Sequence, residues 1–113
     1  MSALASLTIF PVDKGVSVSL YVSKAVKIIK NSGLNYELGP MNTCIEGEWN
    51  EVMDVVNKCM EIIKSESSRV YMVLNVDYKD GEKGRIKKKV ESIKTKLTWY
   101  LTGCSINFIY FFK

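Results

Sequence analysis

Apolar and polar positions change their period several times along the chain, and each change predicts a new element. Residues 3–12 form a mainly apolar run that stops at Pro11, which is typical of a strand entering a loop. Apolar residues then recur every three or four positions up to Asn31-Ser32-Gly33, which predicts a helix that Ser17 or Ser19 can cap. The apolar stripe of this helix comprises Val18, Val22, Ala25, Val26 and Ile29.

Two brief segments and a second amphipathic helix follow in the middle of the chain. Residues 34–38 and 41–45 flank a Gly39-Pro40 break, which predicts two short strands joined as a hairpin or a bulged pair. A helix is expected from about Glu48 to Ser65, because acidic residues occupy its first turns and suit the helix dipole. Its apolar stripe comprises Trp49, Val52, Met53, Val56, Cys59, Met60 and Ile63.

The last third of the chain contains the strongest strand signal, a basic helix and an aromatic tail. Residues 69–78 are apolar at consecutive positions near their start, so both faces of this strand should be buried, which predicts at least a dimer. Asp80-Gly81 and Gly84 predict a turn, and the next helix has an apolar stripe of Ile86, Val90, Ile93 and Leu97. Residues 105–112 are expected to be a strand or irregular, docked on this subunit or a neighbouring one.

This order of elements predicts an α+β fold of the ferredoxin-like kind. The βαββαβ sequence forms a four-stranded antiparallel sheet with two helices on one face, and a C-terminal helix and an apolar tail are added to it. Residues 1–113 are expected to be a single domain, with a core at about 3–94 and a C-terminal extension at 95–113. No element is left to cover the second sheet face, so a homo-dimer or homo-tetramer is expected.

The positive charge is concentrated in one segment. Eight basic and three acidic residues lie between Lys79 and Lys96, which gives this segment +5 in a chain of net charge +4. A globally basic nucleic-acid-binding protein is therefore not indicated. The run Arg85, Lys87, Lys88 and Lys89 can be the solvated face of a helix or a patch that binds phosphate or nucleic acid. An RNA-recognition module would carry aromatic residues on its third strand, and residues 42–46 contain none.

The usage of cysteine and histidine limits the chemistry that is expected. Cys44, Cys59 and Cys104 form no CxxC pair, and they are expected to be small buried residues in a reducing compartment. The chain contains no histidine, which removes the commonest general base. We therefore expect neither an enzyme nor a metal site nor a bound cofactor. A cytoplasmic protein without a membrane or nucleic-acid partner is expected, since no secretion signal is visible and the uncharged tail is shorter than a membrane span.

A series of short motifs resembles one known family. The motifs are Ser17-Val18-Ser19-x-Tyr21-Val22, Gly33-x-x-Tyr36-x-Leu38-Gly39-Pro40-Met41-x-Thr43, Glu46-Gly47-Glu48, Arg69-Val70, Asp77 and Lys89-Val90-x-Ser92-Ile93. In this order they resemble the thiamine-binding protein family, a group of small ferredoxin-like domains, over about residues 6–94. The chain departs from the family's pattern at residues 75–79, where two cations are altered or lost, and at Cys59-Met60, where a histidine is common.

The resemblance implies a ligand and a mode of assembly. The ligand would be thiamine or its hydroxymethyl-aminopyrimidine half, bound without catalysis near a subunit boundary. Subunits of similar proteins pair sheet to sheet and often form tetramers from such pairs. The candidate ligand-binding residues are Ser17, Ser19, Tyr21, Met41, Thr43, Glu46 and Asp77.

The chemistry of these residues suits such a ligand, although each has an ordinary structural role as an alternative. The hydroxyl groups of Ser17, Ser19 and Thr43 can hydrogen-bond an aminopyrimidine, and Met41 and Tyr21 can form an apolar wall. Glu46 or Asp77 would favour the thiazolium cation. The same residues can instead cap helices, fill the core or begin a turn.

Two other classes of function remain open from the sequence. A regulatory or structural assembly subunit of this fold would bind another metabolite or none. An enzyme would need a base, a nucleophile or a metal constellation that the sequence does not bring together.

Overall fold

The computed structural model describes residues 2–81 and 83–102 of the 113-residue chain. Within these residues four strands and three helices follow in the predicted order. They are β1 (Ser2–Pro11), α1 (Ser19–Asn31), β2 (Asn35–Leu38), β3 (Thr43–Gly47), α2 (Trp49–Lys64), β4 (Val70–Lys79) and α3 (Arg85–Thr102). The predicted α+β ferredoxin-like class is confirmed, and the largest shift of a boundary is at β3, which begins and ends two residues later than expected.

The four strands form one antiparallel sheet in the order β2-β3-β1-β4. β1 and β4 pair over their whole length, from Ser2 opposite Lys79 to Pro11 opposite Val70. The pairing of β1 with β3 is shorter and ends where Leu7 lies opposite Thr43. Among the residues that the structure describes, no strand therefore lies beside residues 8–11 of β1 on the β3 side.

One face of the sheet carries the hydrophobic core. Side chains alternate between the two faces of a strand, so the buried residues Ala3, Ala5, Leu7 and Ile9 of β1 share this face. α1 and α2 pack against it with apolar residues at helical spacing. Their buried side chains are Ala25 and Ile29 of α1 and Val52, Val55, Val56, Cys59 and Ile63 of α2.

The ends of the two core helices differ from the sequence expectation in two respects. The expected caps Ser17 and Ser19 are not used, because Val18 is the N-cap of α1 and its carbonyl oxygen accepts from the backbone N–H groups of Tyr21 and Val22, each at 3.0 Å. Trp49 was expected on the buried stripe of α2. It is 43% exposed, because it is the first helical residue and precedes the part of α2 that lies on the sheet.

In the described part of the chain, no helix covers most of the opposite face of the sheet, which we call the open face. It carries Leu4, Ser6, Thr8 and Phe10 of β1, Cys44 and Glu46 of β3, and Tyr71, Val73, Asn75 and Asp77 of β4. Tyr71 is 53% and Val73 is 38% exposed. Within the described residues of one chain, β4 is therefore not buried on both faces as expected.

α3 begins on the open face and covers only one end of it. The backbone N–H of Arg85 donates to Glu46 Oε2 at 2.8 Å, and the Arg85 side chain is only 4% exposed. Further along α3, the exposed fractions of Ile93, Leu97 and Tyr100 are 66%, 53% and 88%. The helix runs unbroken across residue 95, at which the C-terminal extension is expected to begin.

The remaining expectations concern the tail and the membrane. The predicted strand or irregular segment at 105–112 lies outside the described residues, as does Cys104. In residues 2–81 and 83–102, none of the helices has the length and apolar character needed to cross a membrane.

Candidate functional site

A cavity of about 290 Å³ lies between α1 and the end of the sheet. We call it the α1 cavity. Its walls are the stretch of β1 from Leu7 to Phe10, the face of α1 that carries Val22 and Ala25, and the β2–β3 turn at residues 38–43. Most of this lining is aliphatic, because α1 presents to it the same apolar stripe that continues into the core. The cavity thus offers an apolar slot that opens towards the β2–β3 turn.

One wall of the α1 cavity is the unpaired part of β1. Because β3 begins at Thr43, which lies opposite Leu7, no described strand flanks residues 8–10 of β1 where they line the cavity. Successive peptide groups of a strand edge offer N–H donors and C=O acceptors. A flat polar ring can pair with such an edge in the way that another strand would.

The β2–β3 turn is fixed by one hydrogen bond within it and by two hydrogen bonds to β1. The backbone N–H of Gly39 donates to the carbonyl oxygen of Asn42 at 2.8 Å. The Thr8 hydroxyl donates to the carbonyl oxygen of Met41 at 2.9 Å, and the Asn42 amide donates to Ser6 Oγ at 2.6 Å. The turn is therefore attached to β1 while the Met41 side chain remains 83% exposed at the cavity rim.

Thr43 is the polar side chain most deeply placed in the cavity wall. It is 5% exposed and lies opposite Leu7 on β1 and Leu38 on β2, so it projects to the helix-covered face. A hydroxyl among aliphatic side chains can both donate and accept a hydrogen bond, which makes it suited to fixing the orientation of a ligand.

The structure separates the other sequence-predicted site residues into two groups. Ser17 is an exposed loop residue and Ser19 is the exposed first residue of α1, both close in sequence to Val18 of the cavity wall. Tyr21 does not line the cavity. Its half-buried ring packs against the core and lies 5.6 Å from Lys24 Nζ.

Glu46 and Asp77 lie on the open face, away from the α1 cavity. Glu46 is three residues after Thr43 on one strand, and an odd offset places the two side chains on opposite faces. Glu46 is 6% exposed and accepts from Asn35 Nδ2 at 3.1 Å as well as from the backbone of Arg85. Asp77 accepts from Arg85 Nη2 and from Lys89 Nζ, the latter at 2.7 Å. The Lys89 hydrogen bond and the Arg85 charge hold the pKa of Asp77 below its ordinary value.

Sequence reasoning missed two features of these sites. The aliphatic residues of α1 that line the cavity were assigned only to the core, and their helical spacing is the same for either role. The partnership of Asp77 with Arg85 was also missed, although an acid at a strand end followed by a basic helix start was a usable signal.

Comparison with known proteins places the chain in a family. The model of the thiamine-binding protein family matches residues 5–94. A UPF0045 protein of Mycobacterium bovis is 33% identical over 98 residues, which cover 86% of this chain and 96% of that protein. The crystal structure of a hypothetical protein from Methanocaldococcus jannaschii has a TM-score of 0.76 at 29% identity and covers 82% of this chain and 96% of its own. A Thermotoga maritima structure, named as a candidate thiamine biosynthesis or salvage protein, has a TM-score of 0.73 at 29% identity, with coverage of 82% and 99%. The chain belongs to the thiamine-binding protein family.

Proposed function

We propose that this protein binds thiamine or its hydroxymethyl-aminopyrimidine half in the α1 cavity, without a catalytic step. The observation that carries the proposal is the combination, in one cavity, of an aliphatic slot, the buried Thr43 hydroxyl and the unpaired edge of β1. Membership of the thiamine-binding protein family supports this choice of ligand.

The size and polarity of the α1 cavity suit the pyrimidine ring. A volume of about 290 Å³ is at the lower end of the roughly 300–1,000 Å³ usual for ligand pockets, so a single flat ring with small substituents fits better than a larger cofactor. The aminopyrimidine needs donors for its ring nitrogens and an acceptor for its amino group. The edge of β1 and Thr43 supply both kinds of group beside an apolar wall.

The proposal narrows the set of ligand-binding residues that the sequence indicated. Thr43 and Met41 belong to the cavity and its rim, and Ser17 and Ser19 lie near its α1 side. Glu46 and Asp77 belong to the opposite face and are engaged with Arg85, so the proposal assigns neither of them to the thiazolium.

Thr43→Val tests the site, since it preserves the shape of the side chain and removes only the hydroxyl. Titration calorimetry with thiamine and with the free pyrimidine should show binding to the parent protein. Loss of one hydrogen bond should weaken binding by roughly 0.5–1.5 kcal/mol, which is roughly a twofold to tenfold rise in Kd. Thr95→Val is a matched control, because Thr95 Oγ1 only donates to the Glu91 carbonyl oxygen on exposed α3.

The outcomes test the identity of the ligand and the location of the site separately. If the parent protein binds neither compound, the ligand assignment is wrong. If Thr43→Val and Thr95→Val bind thiamine as tightly as the parent, the α1 cavity is the wrong place. If the protein binds no small molecule and forms a stable oligomer, the alternative function, a regulatory or structural assembly subunit, is favoured. The exposed apolar residues of the open face are consistent with such a subunit.

A further inference from the structure

A second concave site lies at the other end of the sheet, where the end of β4 meets the first turns of α3. We call it the basic cleft. Four cations and one carboxylate line it together with Ser92: Lys79, Arg85, Lys88, Lys89 and Asp77. Its volume is about 660 Å³, more than twice that of the α1 cavity. A concave surface lined mainly by cationic side chains is typical of a site for an anionic ligand.

Two of the cations are held in fixed positions by a single acidic residue. Arg85 Nη1 donates to the Asp77 carbonyl oxygen at 2.7 Å, and Arg85 Nη2 donates to the Asp77 carboxylate. Lys89 Nζ donates to the same carboxylate oxygen at 2.7 Å. Asp77 therefore orients both cations but neutralises only one unit of their charge.

Burial makes the guanidinium of Arg85 more effective than an ordinary surface charge. The side chain is 4% exposed, whereas Lys89 and Asp77 are 54% and 52% exposed. A guanidinium has five N–H donors in a rigid fork, and the contacts to Asp77 engage only its two terminal nitrogens. Fixed donors of this kind can bind two oxygens of a tetrahedral phosphate group at the same time.

We propose that the basic cleft binds the phosphate group of a small phosphorylated molecule. The cleft would accept a phosphate or diphosphate between the β4 end and α3, with Arg85 as the buried donor and Lys79 and Lys88 as flanking charges. A concave site of this size favours a small molecule over a nucleic-acid backbone, which needs an extended basic surface.

This site is independent of the proposed thiamine site. The basic cleft lies beside residues 77–79, which pair with the first residues of β1, whereas the α1 cavity lies beside residues 7–10 of the same strand. A span of about six residues of strand is roughly 20 Å, so one small ligand cannot occupy both sites in one chain. The cleft would therefore hold a second ligand, whose binding is separate from binding in the α1 cavity.

The test uses inorganic pyrophosphate and inorganic phosphate as probes with the full chain. Titration calorimetry should detect pyrophosphate binding that weakens as ionic strength rises. Lys88→Gln should weaken it by roughly three- to tenfold, as expected for loss of one charge-assisted contact. Lys87→Gln is the matched control. It removes the same charge from the adjacent residue, which projects from the opposite side of α3 and does not line the cleft.

Nitrogen-15 correlation spectra provide a readout that locates the bound probe. Pyrophosphate should shift the amide signals of residues 77–79 and 88–93 and leave those of residues 22–29 in α1 unchanged. Failure to bind pyrophosphate at millimolar concentration would overturn the proposal, as would equal weakening by Lys87→Gln and Lys88→Gln. Binding of a single-stranded oligonucleotide without binding of pyrophosphate would also overturn it in favour of a nucleic-acid surface. None of these results depends on whether unphosphorylated thiamine binds in the α1 cavity.

Discussion

Asp13 is a single exposed residue that joins two loops distant in sequence. It lies after β1, and its carboxylate accepts hydrogen bonds from both residues of the Ser67-Ser68 pair, which lies before β4. The Ser68 backbone N–H and hydroxyl donate to Asp13 Oδ2 at 3.0 and 2.8 Å, and the Ser67 hydroxyl donates to Oδ1. These bonds lower the pKa of Asp13 well below its ordinary value of 3.8.

The lowered pKa of Asp13 predicts that the stability of the fold depends on pH. A carboxylate whose pKa is lower in the folded state stabilises the fold above its unfolded pKa, and this contribution is lost as the pH falls through the folded pKa. Asp13→Asn should therefore lower the Tm at pH 7. The difference in Tm between the parent protein and the variant should narrow progressively below about pH 4. Thermal melts from pH 7 to pH 2 measure this difference.

A control at an ordinary ion pair shows whether the Asp13 effect is specific. Asp54 forms an exposed i,i+4 pair with Lys58 at 3.1 Å, so Asp54→Asn should change the Tm little at any pH. A Tm of Asp13→Asn equal to that of the parent at pH 7 would mean that the two loops are held together by other contacts.

The turn between β2 and β3 is the element on which the α1 cavity depends most directly. An alanine Cβ at Gly39 would lie 2.9 Å from Asn42 Oδ1 and 3.0 Å from the Asn42 carbonyl oxygen. The Asn42 carbonyl oxygen accepts from the Gly39 N–H, and the Asn42 side-chain amide is fixed by its donation from Nδ2 to Ser6 Oγ, so neither group moves aside easily.

Gly39→Ala should therefore destabilise the protein and impair the proposed thiamine site. The expected loss in the free energy of unfolding is about 1–3 kcal/mol, the usual effect of inserting a methyl group into a crowded place. Urea denaturation measures this loss, and calorimetry with thiamine measures the effect on binding. Pro40→Ala, one residue further in the exposed turn, should have a smaller effect on the free energy of unfolding. A Gly39→Ala protein with unchanged stability would show that the turn relaxes easily.

The elements were largely predictable from the sequence because each follows a local signal. The strand and helix periods, the acids at the start of α2 and the glycines in turns act over a few residues, and they located every described element to within about two residues. The separation of the candidate site residues between the two faces of the sheet was harder to predict from the sequence. Thr43 and Glu46 were assigned to one site because they lie close together on one strand. Only the two-residue period of the strand shows that their side chains project from opposite faces of the sheet. The only sequence signal for the Arg85–Asp77 contact was an acid at a strand end followed by a basic helix start, and its geometry depends on where α3 crosses the sheet.

At the scale of the whole molecule, the open face and the apolar stripe of α3 are the surfaces still to be covered. Tyr71 and Val73 of β4 and Leu97 of α3 are all exposed among the described residues of a single chain. Exposed large apolar side chains that cluster on one surface are typical of an interaction site. We therefore propose that two chains associate through the open face, as the sequence already suggested.

Val73→Asp should weaken this association, since it places a charge in the centre of the covered face. Light scattering should show a dimer or larger oligomer for the parent protein and a smaller species for the variant at micromolar concentration. Val12→Asp is a matched control, because Val12 is 40% exposed, close to the 38% of Val73, and lies in the loop after β1. A parent protein that is monomeric under these conditions contradicts the proposal, as does an identical shift in both variants.

The pairing of the first strand with the last has a consequence for how the chain folds. β1 is synthesised first, yet its longest partner, β4, is synthesised after α2 is complete, so the sheet cannot be closed until most of the chain has left the ribosome. Contacts between such distant segments must overcome a large loop-closure entropy, and folding in milliseconds to seconds is expected rather than in microseconds. During this interval β1 exposes an unpaired edge and an apolar face, which are the features that drive aggregation. A nascent chain that stalls before Val70 should therefore depend on chaperones far more than the completed protein does.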